Sequence, residues 1–345
     1  MKILSITHSV PTNKVDNAQI IQSVLKKNIN NLTRQQRKDL RVIMEKYFDK
    51  IGLKSRYLRS KEEKAIDHGI AAVNAALEES QIKPSDIDLL LYVGVGRGWI
   101  EPAMANLFIA ELDLINATGF DLVDACASWI RGLDLARNYL NTGMYRNILI
   151  MNCEFNFKEF ANFQISDLSR LEYFLPTFTI GEAATATIVT SDKTNNTYYS
   201  KFKTWGKYHD LCKIPLHNVE EFCKDGKKLH HEPLKFYAYG TQLTEQTIKK
   251  MILTFRKDKK LSQFIPNICF GHSVSEAITS QVERMLNFKY GSTYRIFSDY
   301  GNTVSASIPL AMSLAINEGV LIKGDSVLLV VGSAGISVGF TIFIF

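Results

Sequence analysis

At 345 residues, with 46% hydrophobic and 22% charged side chains, the chain has an ordinary globular make-up and enough length for one large domain or two half-sized ones around a sizeable core. Five cysteines, an odd number with no paired C-x-x-C framework, argue against a disulfide scaffold or a zinc ribbon and suit a reducing cytoplasm. The formal charge of +6 is modest: its clusters, TRQQRKDLR at 33–41 and RKDKK at 256–260, read as solvated helix faces or as a landing place for an acidic or phosphorylated partner, and no aromatic-interleaved basic motif points to nucleic acid.

The opening MKILSITHSVPTNK holds a short apolar run stopped by Pro11, too short for a secretory core, and reads as a first strand over 3–7. Nowhere does an apolar stretch approach the roughly 18 residues of a membrane span. Asp67 opens a helix-periodic run to 77, and Pro84-Ser85-Asp86 turns the chain into a strand at 89–94. A strand at 120–124 leads almost without a loop into a helix over 126–142, whose Trp129, Ile130, Leu133, Leu135, Ala136 and Leu140 share a face and which Gly143 ends. Strands at 148–152 and 186–190 follow. Beyond them the strands are 198–203, 268–271, 294–297, 327–331 and 337–344, with a helix over 274–286.

Short β-rich runs alternating with helix-period segments imply an α/β fold with strands covered by helices. Two similar halves are expected, 1–195 and 196–345, with an irregular cap or insertion at about 207–262. His209, Cys212, His230 and His231 lack ligand spacing, so no metal is expected.

In GFDLVDACASWIRGL, Cys126 stands where a strand meets the first turn of a helix. Free N–H groups and the positive end of the helix dipole favour a thiolate there, which lowers the thiol pKa and makes the sulfur a nucleophile. Ala125, Ala127 and Ser128 leave room for a thioester. Taken alone, such a cysteine equally fits a small buried residue. In PNICFGHSVSEAI a strand runs into His272, which places the imidazole at a cleft, and FSDYGNTVSASIPLAMSLA repeats the arrangement with a Gly301 turn and Asn302. Asn302 cannot titrate; its use is a fixed hydrogen bond. The glycine-rich turn at 332–335 reads either as a plain hairpin or as a backbone N–H source at Ala334 and Gly335 that completes an oxyanion hole beside Cys126.

In order, D-A-C-A-S, I-G-E-A-A-T-A-T-I-V, G-H-S-V-S-E, Y-G-N-T-V-S-A-S-I-P-L-A and the closing G-x-A-G-x-x-x-G strand pair resemble the ketoacyl-ACP synthase III family of the thiolase superfamily, over nearly the whole chain. The resemblance implies a thiolase fold, two α/β halves in a five-layered αβαβα arrangement, and a homodimer. It implies that Cys126 takes an acyl group while His272 and Asn302 hold the incoming thioester and help decarboxylate or enolise it. The segment R-G-W-I-E-P-A-M-A would reach into the neighbouring active site. There Glu101 stands where fatty-acid-starting enzymes carry an aromatic residue, as in head-to-head condensing enzymes and those making dialkylresorcinols and pyrones. A desolvated carboxylate can take an α-proton from a donor that has no activating carboxyl group; an exposed loop glutamate is the plainer reading.

Two departures bear on substrate delivery. Ser273 and Ser275 replace the usual glutamine and asparagine, which alters a pantetheine contact expected at Ser275, and the tryptophan that stacks on coenzyme A adenine is not recognisable near 48–56. Acyl carrier protein or coenzyme A therefore remain alternative carriers, with Lys50, Lys54 and Arg56 as candidate phosphate contacts. The expected reaction is a Claisen-type condensation of the Cys126-bound acyl group with a second acyl or β-ketoacyl thioester, in fatty-acid-derived or polyketide biosynthesis. Three rivals stand beside it: a malonyl-ACP-dependent starter synthase, an acyltransferase to oxygen or nitrogen, and a non-catalytic partner subunit.

Overall fold

The computed structural model describes every residue except 166, 193–196, 224–231 and 290. One five-stranded sheet is built from β1 (Lys2–Ser9), β2 (Leu89–Val93), β3 (Thr118–Leu122), β4 (Asn147–Glu154) and β5 (Ala183–Thr190). A second is built from β6 (Tyr199–Tyr208), β7 (Ile268–Gly271), β8 (Thr293–Tyr294), β9 (Ser326–Ser333) and β10 (Gly335–Ile344). Strand order is β1-β5-β4-β2-β3 in one and β6-β10-β9-β7-β8 in the other, the same permutation. In each sheet the first two ladders are antiparallel and the last two parallel. Two copies of one α/β unit thus lie end to end in the chain, and residue 195, where the sequence suggested their division, falls outside the described residues.

The helices of two turns or more are α1 (Asn17–Lys27), α2 (Arg34–Ile51), α3 (Ala65–Ser80), α4 (Met104–Glu111), α5 (Ser128–Thr142), α6 (Gly240–Lys257), α7 (Glu276–Met285) and α8 (Ser307–Asn317). Capping boxes at Asp16 and Thr33 start the first two, each side chain accepting from the N3 amide while the N3 glutamine returns the bond. Between the sheets lie α5 and α8: Trp129, Leu133, Met312 and Ala315 pack with Leu91 and Ile150 on one side and Phe270 and Leu329 on the other. Because α8 is covered on both sides, it is buried from Ser307 through Ser313, which is why its sequence is apolar or small all round. Outside the first sheet α3 and α4 contribute Ala72, Val73 and Phe108; outside the second α6 and α7 contribute Met251, Phe255 and Val282. The result is a five-layered αβαβα stack.

Two expected elements differ. The strand at 294–297 shortens to Thr293–Tyr294, because Phe297 drops into the cluster holding Phe178 and Ile180 and the backbone coils into a helical turn over Phe297–Tyr300. The stretch 207–262 is not irregular throughout: α6 is an 18-residue helix whose buried Ile248, Met251 and Phe255 recur at helical spacing.

The two units also share one turn. After the first sheet's β3 the chain passes Ala125 at φ +45°, makes a 3₁₀ turn over Ala125–Ala127 and enters α5 at Ser128. In the second unit Val304 sits at φ +50°, the 3₁₀ turn covers Val304–Ala306, and α8 starts at Ser307. Ser128 Oγ donates to Ala125 O at 2.7 Å and Ser307 Oγ to Val304 O at 2.9 Å. The counterpart of Cys126 in the second unit is therefore Ser305.

Candidate active site

The Cys126 turn is braced from the far sheet. Ser333, the last residue of β9, accepts from Ala127 N at 3.3 Å and donates to Asp124 O at 2.9 Å, while Asp124 N donates to Ser128 Oγ at 2.8 Å. A non-glycine residue at positive φ is strained, and these bonds hold Ala125 there so that Cys126 is presented at the head of α5. The sequence reading gave Ser333 no role, although its place at the tip of the closing strand pair was visible.

His272 follows β7 directly. Its amide donates to Val330 O at 3.1 Å, its Nδ1 lies 3.1 Å from Ser307 Oγ, and the residue lines the same cavity as Cys126. Burial lowers its pKa to about 4, so the ring is neutral at pH 7. Asn302 is tied on both sides of its backbone: its amide donates to Thr179 O at 2.8 Å and its carbonyl accepts from Gly181 N at 3.0 Å. Its Oδ1 accepts from Val304 N at 2.9 Å, which fixes the amide orientation and turns the Nδ2 protons away from that turn. Gly301 is required at φ +69°, since a Cβ there would meet Thr179 O at 2.4 Å.

Cys126, His272, Asn302 and Ala334 line one cavity of about 1100 Å³, with apolar walls that include Tyr47, Phe157, Phe160, Phe236, Met251 and Phe288. The thiol is half-buried yet deep. Here the expectation of a lowered thiol pKa is corrected: burial pushes the Cys126 thiol well above its ordinary value, and nearby Cys212, Glu154 and Asp124 push the same way. Desolvation is the largest cause and outweighs what the head of α5, two residues further on, can offer a thiolate.

The remaining predicted residues divide. Lys50 lines the cavity with an exposed side chain, and Ser275 lines it as a buried residue whose Oγ accepts from Ile278 N at 3.5 Å at the start of α7. Gly335 pairs with Tyr208 in the second sheet and leaves the cavity wall to Ala334 and Ser333. Arg56 is not a phosphate contact: it is 0% exposed, its guanidinium donating to Asn17 Oδ1 at 2.9 Å and Phe178 O at 2.8 Å over the Phe48 ring, with burial drawing its pKa down to about 10. Glu101 is exposed and does not line the cavity of its own chain. Tyr47, three residues before Lys50, is the aromatic residue the structure puts at the wall where the sequence showed no tryptophan. His209 and Cys212 are not brought into a metal site, and no group of three or more candidate metal ligands occurs among the described residues; His230 and His231 lie outside them.

Residues 120–206 match the family model 3-oxoacyl-[acyl-carrier-protein] synthase III, and residues 266–344 match the model of that family's C-terminal part. A β-ketoacyl-[acyl-carrier-protein] synthase III of Aliarcobacter butzleri is 27% identical over 300 residues, 85% of this chain and 87% of that protein. One of Helicobacter pylori J99 is 29% identical over 300 residues, 84% and 86% of the two chains. Among solved structures, a variant of Xanthomonas campestris OleA superposes with a TM-score of 0.84 at 19% identity, covering 99% of this chain and 97% of that one. The 3-oxoacyl-[acyl-carrier-protein] synthase III of Aquifex aeolicus VF5 gives 0.81 at 21% identity, covering 100% and 99%. These superpositions make the fold that of the thiolases.

Proposed function

We propose, from the premise that this chain is a thiolase-fold condensing enzyme of the ketoacyl-ACP synthase III type, that it joins an acyl group carried on Cys126 to a second acyl or β-ketoacyl thioester. The observation that carries the reading is the convergence of Cys126, His272 and Asn302 on one cavity, with the Asn302 amide held so that its N–H groups are free to donate.

Ser307 gives its own proton to Val304 O, so Nδ1 of His272 donates to Ser307 Oγ and Nε2 offers a lone pair. In the first half-reaction the Cys126 proton passes to Nε2 as the sulfur attacks the thioester carbonyl, and it leaves on the departing carrier thiol. The Ala334 end of the β9–β10 turn supplies the backbone donor for the oxyanion. In the second half-reaction the bound thioester loses an α-proton, Asn302 donates to its enolate oxygen, and the carbanion attacks the acyl carbonyl to release Cys126. A cavity near 1100 Å³ exceeds the roughly 300–1,000 Å³ of ordinary small-molecule sites and suits a pantetheine arm together with an alkyl chain. A variant of X. campestris OleA has been crystallised with lauric acid and lauroyl-CoA.

The base for the α-proton is assigned to Glu101 of the partner subunit in a homodimer. Among the described residues β3 ends its sheet, paired only with β2, its residues are partly buried or exposed, and Trp99, Ile100 and Val123 beside it are exposed by 40%, 68% and 61%. Pairing two β3 edges would cover this apolar surface and carry the 97–103 segment toward the other cavity. Carrier protein or coenzyme A delivers the thioesters, with Lys50 at the cavity wall as the phosphate contact. The matched relatives named as β-ketoacyl-ACP synthases favour a second reading in which a malonyl thioester is decarboxylated instead and Glu101 is dispensable.

Intact mass after exposure to a panel of acyl and β-ketoacyl thioesters tests this. The wild type and Glu101→Gln gain an acyl-sized mass that Cys126→Ala does not, and Glu101→Gln then fails to condense a non-carboxylated donor. Condensation unchanged in Glu101→Gln moves the assignment to the decarboxylative reading; no adduct on the wild type with any donor removes the proposal.

A further inference from the structure

Glu154 ends β4, the strand that corresponds to β9 in the other unit, and it is 4% exposed. A buried carboxylate is costly unless its lone pairs are filled. Here three donors reach one oxygen and one the other: Val95 N donates to Oε1 at 3.1 Å, Ser305 N to Oε1 at 3.3 Å, Ser305 Oγ to Oε1 at 2.5 Å and Gly96 N to Oε2 at 2.7 Å. Gly94 passes so close, at φ +119°, that a Cβ would lie 2.4 Å from Oε1. Asn152, two residues earlier on β4, donates to Ser305 Oγ at 3.1 Å and accepts from Thr185 N and Oγ1.

The arrangement mirrors the nucleophile's. Ser333 at the end of β9 braces the Cys126 turn across the sheets, and Glu154 at the end of β4 braces the turn of Ser305, the counterpart of Cys126. Where the first brace is a hydroxyl, the second is a buried carboxyl group that accepts from four donors. One carboxylate therefore grips two segments at once, the 94–96 loop that leads into the Glu101 segment and the 302–305 turn that carries Asn302.

We propose that Glu154 is a positioning residue of the second half-reaction, holding Asn302 and the root of the Glu101 segment in a fixed relation. Although it lines the cavity, it is anchored by four hydrogen bonds to the two segments, three on Oε1 and one on Oε2, and its role is to hold them. The catalytic part of this inference rests on the condensation reading above; the clamp itself does not.

The test uses the full chain with Glu154→Gln, which keeps the shape and replaces one acceptor by a donor, and Ser305→Ala as the second variant should the first not fold. Hydrogen exchange is read at Val95, Gly96 and Ser305 together with the two half-reactions measured separately on a lauroyl-CoA probe. The clamp predicts at least tenfold faster exchange in both segments of the variant. It also predicts Cys126 acylation no slower than about a third of the wild-type rate, since losing the Glu154 carboxylate only eases thiolate formation, and condensation from the preformed acyl-enzyme slower by about 100-fold. Faster exchange in only one segment, or in neither, overturns the clamp. Equal loss in both half-reactions overturns the positioning role and leaves a general packing effect. A wild type that takes no acyl group sinks the condensation reading, while the exchange result still decides the clamp.

Discussion

Gly181 donates its amide to the carbonyl of Asn302 at 3.0 Å, and one step away Asn302 donates to Thr179 O at 2.8 Å, so the chain entering β5 and the turn of the second unit are stitched by a two-bond parallel bridge. The approach is close enough that a Cβ on Gly181 would stand 2.0 Å from Tyr300 O. Gly181→Ala must open the bridge and displace Asn302. We expect a loss of about 2–4 kcal/mol of stability by thermal or denaturant unfolding, with condensation falling further than Cys126 acylation. An unchanged melting temperature would contradict the packing described.

The Cys126 thiol, raised by burial, is protonated in the resting protein at neutral pH. Its alkylation by iodoacetamide, followed by peptide mass against Cys126→Ala, should be slow at pH 7 and still climbing above pH 9. A rate that levels off below pH 8 would restore the lowered thiol expected from the helix end.

Arg56 and Lys50 separate stability from binding. Removing the Arg56 guanidinium strands the carbonyl of Phe178 and the amide of Asn17, so Arg56→Ala should cost about 2–4 kcal/mol in an unfolding measurement and leave KM for a coenzyme A thioester unaltered in the folded fraction. Lys50→Ala should leave stability alone and raise that KM roughly three- to tenfold at low salt, an effect that shrinks as salt is added. The reverse pattern would reinstate Arg56 as the phosphate contact.

Glu182 gives a pH signature. Its carboxyl is 1% exposed and accepts from Arg59 N at 2.6 Å and Phe157 N at 3.2 Å, yet burial dominates and raises its pKa to about 7. A folded pKa above the unfolded value of 4.5 means that protonation favours the native state. This contribution, about 3 kcal/mol, is fully present below pH 4.5 and is lost as pH rises to 7. His272, lowered to about 4, acts in the opposite sense between pH 4 and 6.5, so the wild-type curve alone is ambiguous. The difference between wild type and Glu182→Gln in urea midpoint, scanned from pH 4.5 to 7.5, isolates the term; a flat difference removes it.

Much of the architecture is legible in the sequence because it follows from local pattern. LLLYV over β2 is buried at every position, as a strand covered on both faces must be, and Trp129, Leu133, Ala136 and Leu140 fall on the buried side of α5. That Cys126, His272 and Asn302 come to line one cavity is legible because each stands just after a strand or a tight turn. What is not legible depends on tertiary surroundings. Arg56 looks like a surface cation until Phe48, Phe178 and Asn17 close around it, and Glu154 is one carboxylate among many until four donors converge on it. The Cys126 pKa also could not be settled from a helix start, since depth of burial is a property of the folded layers.

Ala125-Cys126-Ala127-Ser128 and Val304-Ser305-Ala306-Ser307 use one backbone device twice, so the same geometry presents two different side chains in the two units. In the folded chain the two turns differ at their second residue: Cys126 puts a thiol on the cavity wall, whereas the hydroxyl of Ser305 is spent inside the protein, donating to Glu154 and accepting from Asn152.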